Sequence, residues 1–102
     1  MKYEVIISNS AIDDLLFIKN FIALDNPSKA TEYINTILTK IETLKDFPRL
    51  GKPIKKEVLG CDQVRALLCL KHIVFYKVND NNKTVFILTF YSQFQYWENI
   101  LK

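Results

Sequence analysis

The apolar positions of the chain fall into two rhythms. Ala11, Leu15, Ile18 and Ile22 recur at steps of three and four, with Ile12, Leu16 and Phe21 widening the stripe, the spacing of a helix with one buried face. Ala30, Ile34, Ile37, Ile41 and Leu44 repeat the pattern, flanked by Tyr33 and Leu38, and predict a second helix. Between them Asp25-Asn26-Pro27 interrupts the stripe. Asn26 is a suitable N-cap and Pro27 suits the first helical position, so the second helix starts at once and the two make a hairpin. Ser10 is the expected cap of the first helix, with Asp13 placing an acid in its first turn, where the helix dipole favours it. The second helix should end near Asp46-Phe47-Pro48, because Pro48 disfavours a helical residue before it. Both stripes are assigned to the core.

The other rhythm belongs to strands. Residues 3–7 are rich in β-branched and aromatic residues and stop at Ser8-Asn9-Ser10, a short first strand followed by a turn. Residues 49–60 carry Gly51, Pro53 and Gly60 with Lys52, Lys55 and Lys56, the composition of a loop. Residues 64–70, 73–78 and 84–91 are then rich in Val, Ile, Leu, Phe and Tyr. Lys71-His72 and Asn79-Asp80-Asn81-Asn82-Lys83 separate them, both short enough for antiparallel hairpins. Residues 93–102 suggest a short helix or an irregular tail. The expected fold is α+β, in the order β-α-α-β-β-β, an N-terminal helical hairpin packed on an antiparallel sheet.

Composition narrows the class. The 102 residues are 49% hydrophobic and 25% charged, which suits one packed domain over residues 1–102 and argues against a disordered or fibrous chain. The first residues hold only three apolar positions in a row, Val5-Ile6-Ile7, too few for a signal-peptide core or a membrane span, so a cytoplasmic location is expected. Cys61 and Cys69, with one histidine in the chain, cannot assemble a recognisable structural zinc site and are read as reduced thiols. No metal or cofactor is expected. The formal charge of +3 rests on lysine, since Arg49 and Arg65 are the only arginines. It permits an acidic partner or a nucleic-acid surface without demanding either.

The residues nevertheless resemble a known family over nearly the whole chain. Ser8-Asn9-Ser10-Ala11 followed by Asp14-Leu15 and Ile18 is similar to the first-helix signature of the RelE/ParE superfamily of toxins, and Asn26-Pro27 then Ala30 to its helix-to-helix turn. Phe47-Pro48 then Gly51 resembles the loop after the hairpin. Arg65, followed by residues 73–78, resembles the central sheet, and Val85-Phe86-Ile87-Leu88 running into Tyr91-Ser92 and Trp97 resembles the closing strand and tail. The resemblance implies the toxin of a type II toxin–antitoxin system: a growth inhibitor neutralised by a cognate antitoxin in a hetero-oligomer, with no membrane partner. It also implies one of two mechanisms. RelE-like members cut messenger RNA on the ribosome with Lys, Arg, His or Tyr side chains, whereas ParE-like members inhibit DNA gyrase without an obvious catalytic set. This chain has Ile73 where nucleolytic relatives often carry a strand arginine, and Tyr91-Ser92-Gln93-Phe94-Gln95 where they often end in a histidine or paired arginines.

RNA cleavage needs a positioned base, an acid and a cation beside the phosphorane. The candidates are Arg65, Lys71, His72 and Tyr91, and for three of them a second reading stands beside the first. Arg65 contacts phosphate or a partner, or it bridges strand and loop. His72 titrates near neutral pH, or it is a solvated turn residue beside Lys71. Tyr91 is a catalytic phenol or base-stacking platform, or a half-buried aromatic at a strand end. Lys52, Lys55 and Lys56 track a phosphate backbone, or, beside Glu57 and Asp62, form a solvated loop. The aromatics Phe94, Tyr96 and Trp97 form a contact surface or pack on the domain. Three functions remain: a ParE-like toxin acting on a target such as gyrase, a ribosome-dependent endoribonuclease with a reduced residue set, and an inactive relative that keeps only its antitoxin.

Overall fold

The computed structural model describes residues 2–55 and 63–92. Lys56, Glu57, Cys61, Asp62 and the aromatic tail with Phe94, Tyr96 and Trp97 lie outside the described residues. Within them the order is β1 (Glu4–Ile7), α1 (Asn9–Ala23), α2 (Pro27–Glu42), a 3-10 turn (Thr43–Lys45), β2 (Lys52–Pro53), β3 (Val64–Cys69), β4 (His72–Asn79) and β5 (Thr84–Ser92). The strands form one sheet in the order β1-β5-β4-β3-β2. The helical hairpin and the antiparallel β3-β4-β5 meander are as expected, and two features are added. The loop contributes the two-residue strand β2, paired to β3 at Lys52↔Ala66 and Pro53↔Arg65. The first strand lies parallel to the last, Glu4 opposite Thr84 and Ile7 opposite Ile87. Parallel pairing requires a long connection, and the helical hairpin with the meander supplies it.

Local chemistry sets the helix starts. The Asn26 side chain accepts from the Lys29 N–H at 3.1 Å, with Pro27 in the first turn, as the dipeptide predicts. The cap of α1 is Ser8 and not Ser10: its Oγ accepts from the Ala11 N–H at 3.0 Å and donates to the Leu88 carbonyl at 2.9 Å. That second bond to β5 favours the earlier serine and starts the helix at Asn9, which moves Asp13 out of the first turn.

The core lies between hairpin and sheet. Leu15, Ile18, Ile37 and Ile41 of the helices meet Leu67, Val74, Tyr76, Val85 and Ile87 of the strands, each buried side chain contributing about 1.5–3 kcal/mol. A second apolar cluster, Val64, Ala66, Ile73 and Phe75, occupies the opposite face of the sheet with Ile54, Leu88 and Tyr91 against it. Assigning the whole first stripe to the core needs correction. Ala11, Leu15 and Ile18 are buried, but Ile12, Leu16 and Phe21 are exposed, Phe21 at 67%, as is Phe17 next to the stripe at 72%. One helix facing one sheet buries only about a third of its circumference, so the flanking residues project past the contact.

At the other end of the sheet, the loop before β2 closes over Tyr76. The Gly51 N–H donates to the Tyr76 hydroxyl at 2.8 Å, and the Gly51 carbonyl accepts from Arg65 Nη1 at 2.7 Å. A neighbouring latch joins Arg49 to Asp80, whose other oxygen accepts from the Tyr3 hydroxyl at 2.6 Å. These bonds hold the Asp80 carboxyl below the usual carboxylate range.

Candidate functional site

The functional geometry begins at an irregularity in β5. Phe75 pairs with Thr89 but Tyr76 with Ile87, so Leu88 is an extra residue and the strand bulges there. Asp14, half-buried on α1, secures the bulge: its Oδ2 accepts from the Thr89 hydroxyl at 2.6 Å and from the Phe90 N–H at 3.0 Å. The strand end beyond it thereby bends against the hairpin. Between them opens a groove of about 980 Å³, walled by Phe17, Ile18, Phe21 and Ile22 of α1, by Lys29, Glu32 and Tyr33 of α2, and by Leu70, Lys71, His72, Phe90 and Tyr91 of the sheet. Phe17, Phe21 and Leu70 keep much of their surface open, Leu70 at 47%. Monomeric proteins seldom leave such contiguous apolar surface exposed without an interaction to serve.

Three of the four candidate residues line this groove, and their positions differ from a simple turn. The hairpin loop is Leu70-Lys71, since Cys69 pairs directly with His72. Leu70 has a φ of +58°, a conformation that favours glycine and that non-glycine residues adopt at a cost of about 1–2 kcal/mol. His72 is therefore the first residue of β4 and half-buried, which overturns the reading as a solvated turn residue. Its Nδ1 lies 2.7 Å from the Tyr33 hydroxyl, which also accepts from the Lys71 N–H at 3.1 Å. The two rings meet edge to face with centroids 5.6 Å apart. Tyr91 is half-buried, its ring edge-on to Phe75 at 5.2 Å.

Arg65 stands apart. It alternates with Val64 and Ala66, so it faces the helix side with Leu67 and Cys69. It is four positions from Cys69, about 13 Å along the strand, and its guanidinium donates to the carbonyls of Gly51 and Arg49, the latter at 3.4 Å. Both arginines of the chain are thus engaged in bonds that tie the loop to the sheet.

Burial sets the electrostatics. It pushes the Cys69 thiol up to about 11, with Lys40 opposing the shift, so this cysteine stays protonated and unreactive. It also raises the Tyr33 phenol, against the Lys71 hydrogen bond, and lowers His72 below its ordinary value of 6.5. The folded protein thus disfavours protonated His72, while the unfolded chain accepts the proton at the ordinary value. Its contribution to stability is complete above about 6.5 and is lost as pH falls through the depressed folded value. Melting temperature should accordingly decline on acidification below that point, and His72→Gln should flatten this part of the curve. Parallel pH profiles for the two proteins would refute the linkage.

Among the described residues no group of three His, Cys, Asp or Glu sits together to hold a metal, and no helix is long and apolar enough to cross a membrane. The groove's wall residues Tyr33, Phe17, Phe21 and Leu70 were not singled out as functional by the sequence. Phe21 and Tyr33 were visible only at the edges of the helical stripes and Leu70 only as the end of an apolar run, patterns that core and surface hydrophobics share.

Comparison with known proteins assigns the architecture. The chain resembles the chromosomal ParDE toxin–antitoxin system of P. aeruginosa, with a TM-score of 0.71 and 21% identity over 89% of this chain and 96% of that one. It resembles the RelBE2 toxin–antitoxin complex of Mycobacterium tuberculosis with a TM-score of 0.61 and 22% identity, covering 90% and 99%. Both likenesses show the fold. Among curated protein sequences none matches significantly. Residues 5–97 match the family described as the ParE toxin of the type II toxin–antitoxin system parDE, and the chain belongs to that family of toxins.

Proposed function

We propose that this toxin is a binding inhibitor of the ParE kind, acting on an essential target such as DNA gyrase through protein contacts, and that an antitoxin neutralises it by seating an amphipathic segment in the groove. The observation that carries the reading is the engagement of Arg65. A nuclease on this frame needs a base, an acid and a cation converging on one phosphate, yet Arg65 clamps the Gly51 carbonyl at 2.7 Å, remote from Lys71, His72 and Tyr91. On the opposite sheet face Val64, Ala66, Ile73 and Phe75 are apolar and buried, and none of them can contact a phosphate. An antitoxin partner is supported by the toxin–antitoxin nature of both structural neighbours and by the apolar walls of the groove.

Purified protein tested against gyrase supercoiling and against cell-free translation separates the mechanisms. Loss of supercoiling with translation intact is expected, and messenger cleavage with supercoiling intact would reject the proposal. Arg65→Ala distinguishes structural from functional use of the guanidinium. Removing a charged donor from a part-buried carbonyl should cost roughly 1–2 kcal/mol, so the melting point should drop and toxicity should follow only the folded fraction. An unchanged melting point with toxicity abolished would make Arg65 a contact residue instead.

A further inference from the structure

We propose that Leu70 is the sheet-side anchor of the groove, a leucine held in a strained turn where the apolar side of the antitoxin's docked segment covers it. The inference rests on the groove being the antitoxin-binding face. Among the described residues, Gln63, Leu70 and Lys83 are the non-glycine positions with a positive φ, and Leu70 alone of them is apolar. Two-residue hairpin turns usually take Gly, Asn or Asp for such a conformation. Lys83 recovers a contact within the chain, its Nζ lying 5.4 Å from the centre of the Tyr3 ring. Leu70 remains 47% exposed and joins neither buried apolar cluster, so the free toxin gains little from either its backbone or its side chain.

The turn is fixed on both sides of this leucine. Cys69 pairs with His72 across the hairpin, and the Tyr33 hydroxyl of α2 accepts from the Lys71 N–H at 3.1 Å while lying 2.7 Å from His72 Nδ1. Unfavourable backbone conformations persist where their surroundings impose them, and they gather at sites that hold a ligand. The groove supplies that use. Its helix side offers exposed Phe17 and Phe21. On its sheet side Phe90 is buried and Tyr91 half-buried, Lys71, His72, Thr89 and Ser92 are polar, and Leu70 is the exposed apolar residue. A segment that covers the two phenylalanines therefore finds its apolar counterpart on the sheet in Leu70. Because Asp14, Glu32, Lys29 and Lys71 give the wall both signs of charge, apolar contact rather than charge sets the fit.

Leu70→Ala and Leu70→Gly separate the backbone from the side chain, with the purified product of the gene paired with the toxin's as the probe. Both remove the leucine side chain, but only alanine keeps a Cβ in the positive-φ conformation, so Leu70→Gly should melt above Leu70→Ala by about 4–8 °C and no lower than the parent. In calorimetry both should bind the probe roughly five- to tenfold more weakly than the parent, the effect of no longer covering the exposed half of a leucine. A Leu70→Gly protein that melts several degrees below the parent would make the leucine part of the fold and overturn the proposal. Parent-like affinity in Leu70→Ala would overturn it too. Phe21→Asp, measured beside them, locates the failure. If it weakens binding and Leu70→Ala does not, the groove holds the antitoxin without using Leu70. If neither weakens binding, the docking reading itself is wrong and the proposal falls with it.

Discussion

Gly51→Ala is expected to be the most damaging single-methyl change in the protein. A Cβ at this position would lie 2.8 Å from the Ala66 carbonyl oxygen, 2.8 Å from the Tyr76 hydroxyl and 2.9 Å from the Tyr76 ring. The first is sheet backbone and the ring is fully buried, so neither can yield without displacing β3 or the core. Overpacking of this kind costs about 1–3 kcal/mol, and the loop shift would also loosen the bonds that Gly51 makes to Tyr76 and Arg65, adding about 1 kcal/mol each. Against a typical total of about 5–15 kcal/mol, a loss of roughly 3 kcal/mol or more should lower the melting temperature on the order of 15 °C. Tyr76→Phe, which removes only the hydroxyl acceptor, should fall between this variant and the parent. A Gly51→Ala protein melting within a few degrees of the parent would mean that the loop is not packed against Tyr76 in solution.

The largest effect on association should come from Phe21→Asp. Phe21 is 67% exposed on the wall of the groove, so the free toxin should keep its stability within about 0.5 kcal/mol, as exposed positions do. Aromatic residues that become fully covered at an interface are worth about 2 kcal/mol or more, and an unpaired carboxylate among apolar walls adds a desolvation penalty. Affinity for the antitoxin should drop roughly a hundredfold, and co-expressed antitoxin should no longer relieve toxicity. Asn35→Asp, on an exposed face of α2 outside the groove, supplies the control and should bind as the parent does. Equal affinities for the two variants in calorimetry would place the antitoxin elsewhere on the toxin.

Legibility in the sequence followed the range of the interactions. Asn26-Pro27 was readable because a cap and its proline act within a single turn. The choice between Ser8 and Ser10 was not, since the Leu88 carbonyl that favours Ser8 lies 80 positions away. Apolar spacing located both helices but could not separate buried Leu15 and Ile18 from exposed Leu16 and Phe21, because that division depends on where one sheet meets the helix. His72 was assigned to a turn because Lys71-His72 are the polar residues between two apolar runs. The hairpin instead turns at Leu70-Lys71 with a positive φ on a leucine, which composition does not announce. For Arg65 a bridge between strand and loop was in view, but its partner, the Gly51 carbonyl, was not, because the pairing depends on how the loop returns to the sheet. Asp14 entered only as part of the first-helix signature, and its role was not legible, as its partners on the bulge exist only once β5 is folded.

The parallel pairing of β1 with β5 has a consequence for biosynthesis. A chain emerging from the ribosome presents α1 and α2 long before β4 and β5, which supply the sheet side of the groove, and β1 has no strand beside it until residues 84–87 appear. Closure of such distant loops is entropically slow. Until it occurs the nascent toxin displays its hairpin stripe without the sheet that covers it, so both its activity and its capture by an antitoxin would wait for the arrival of β5.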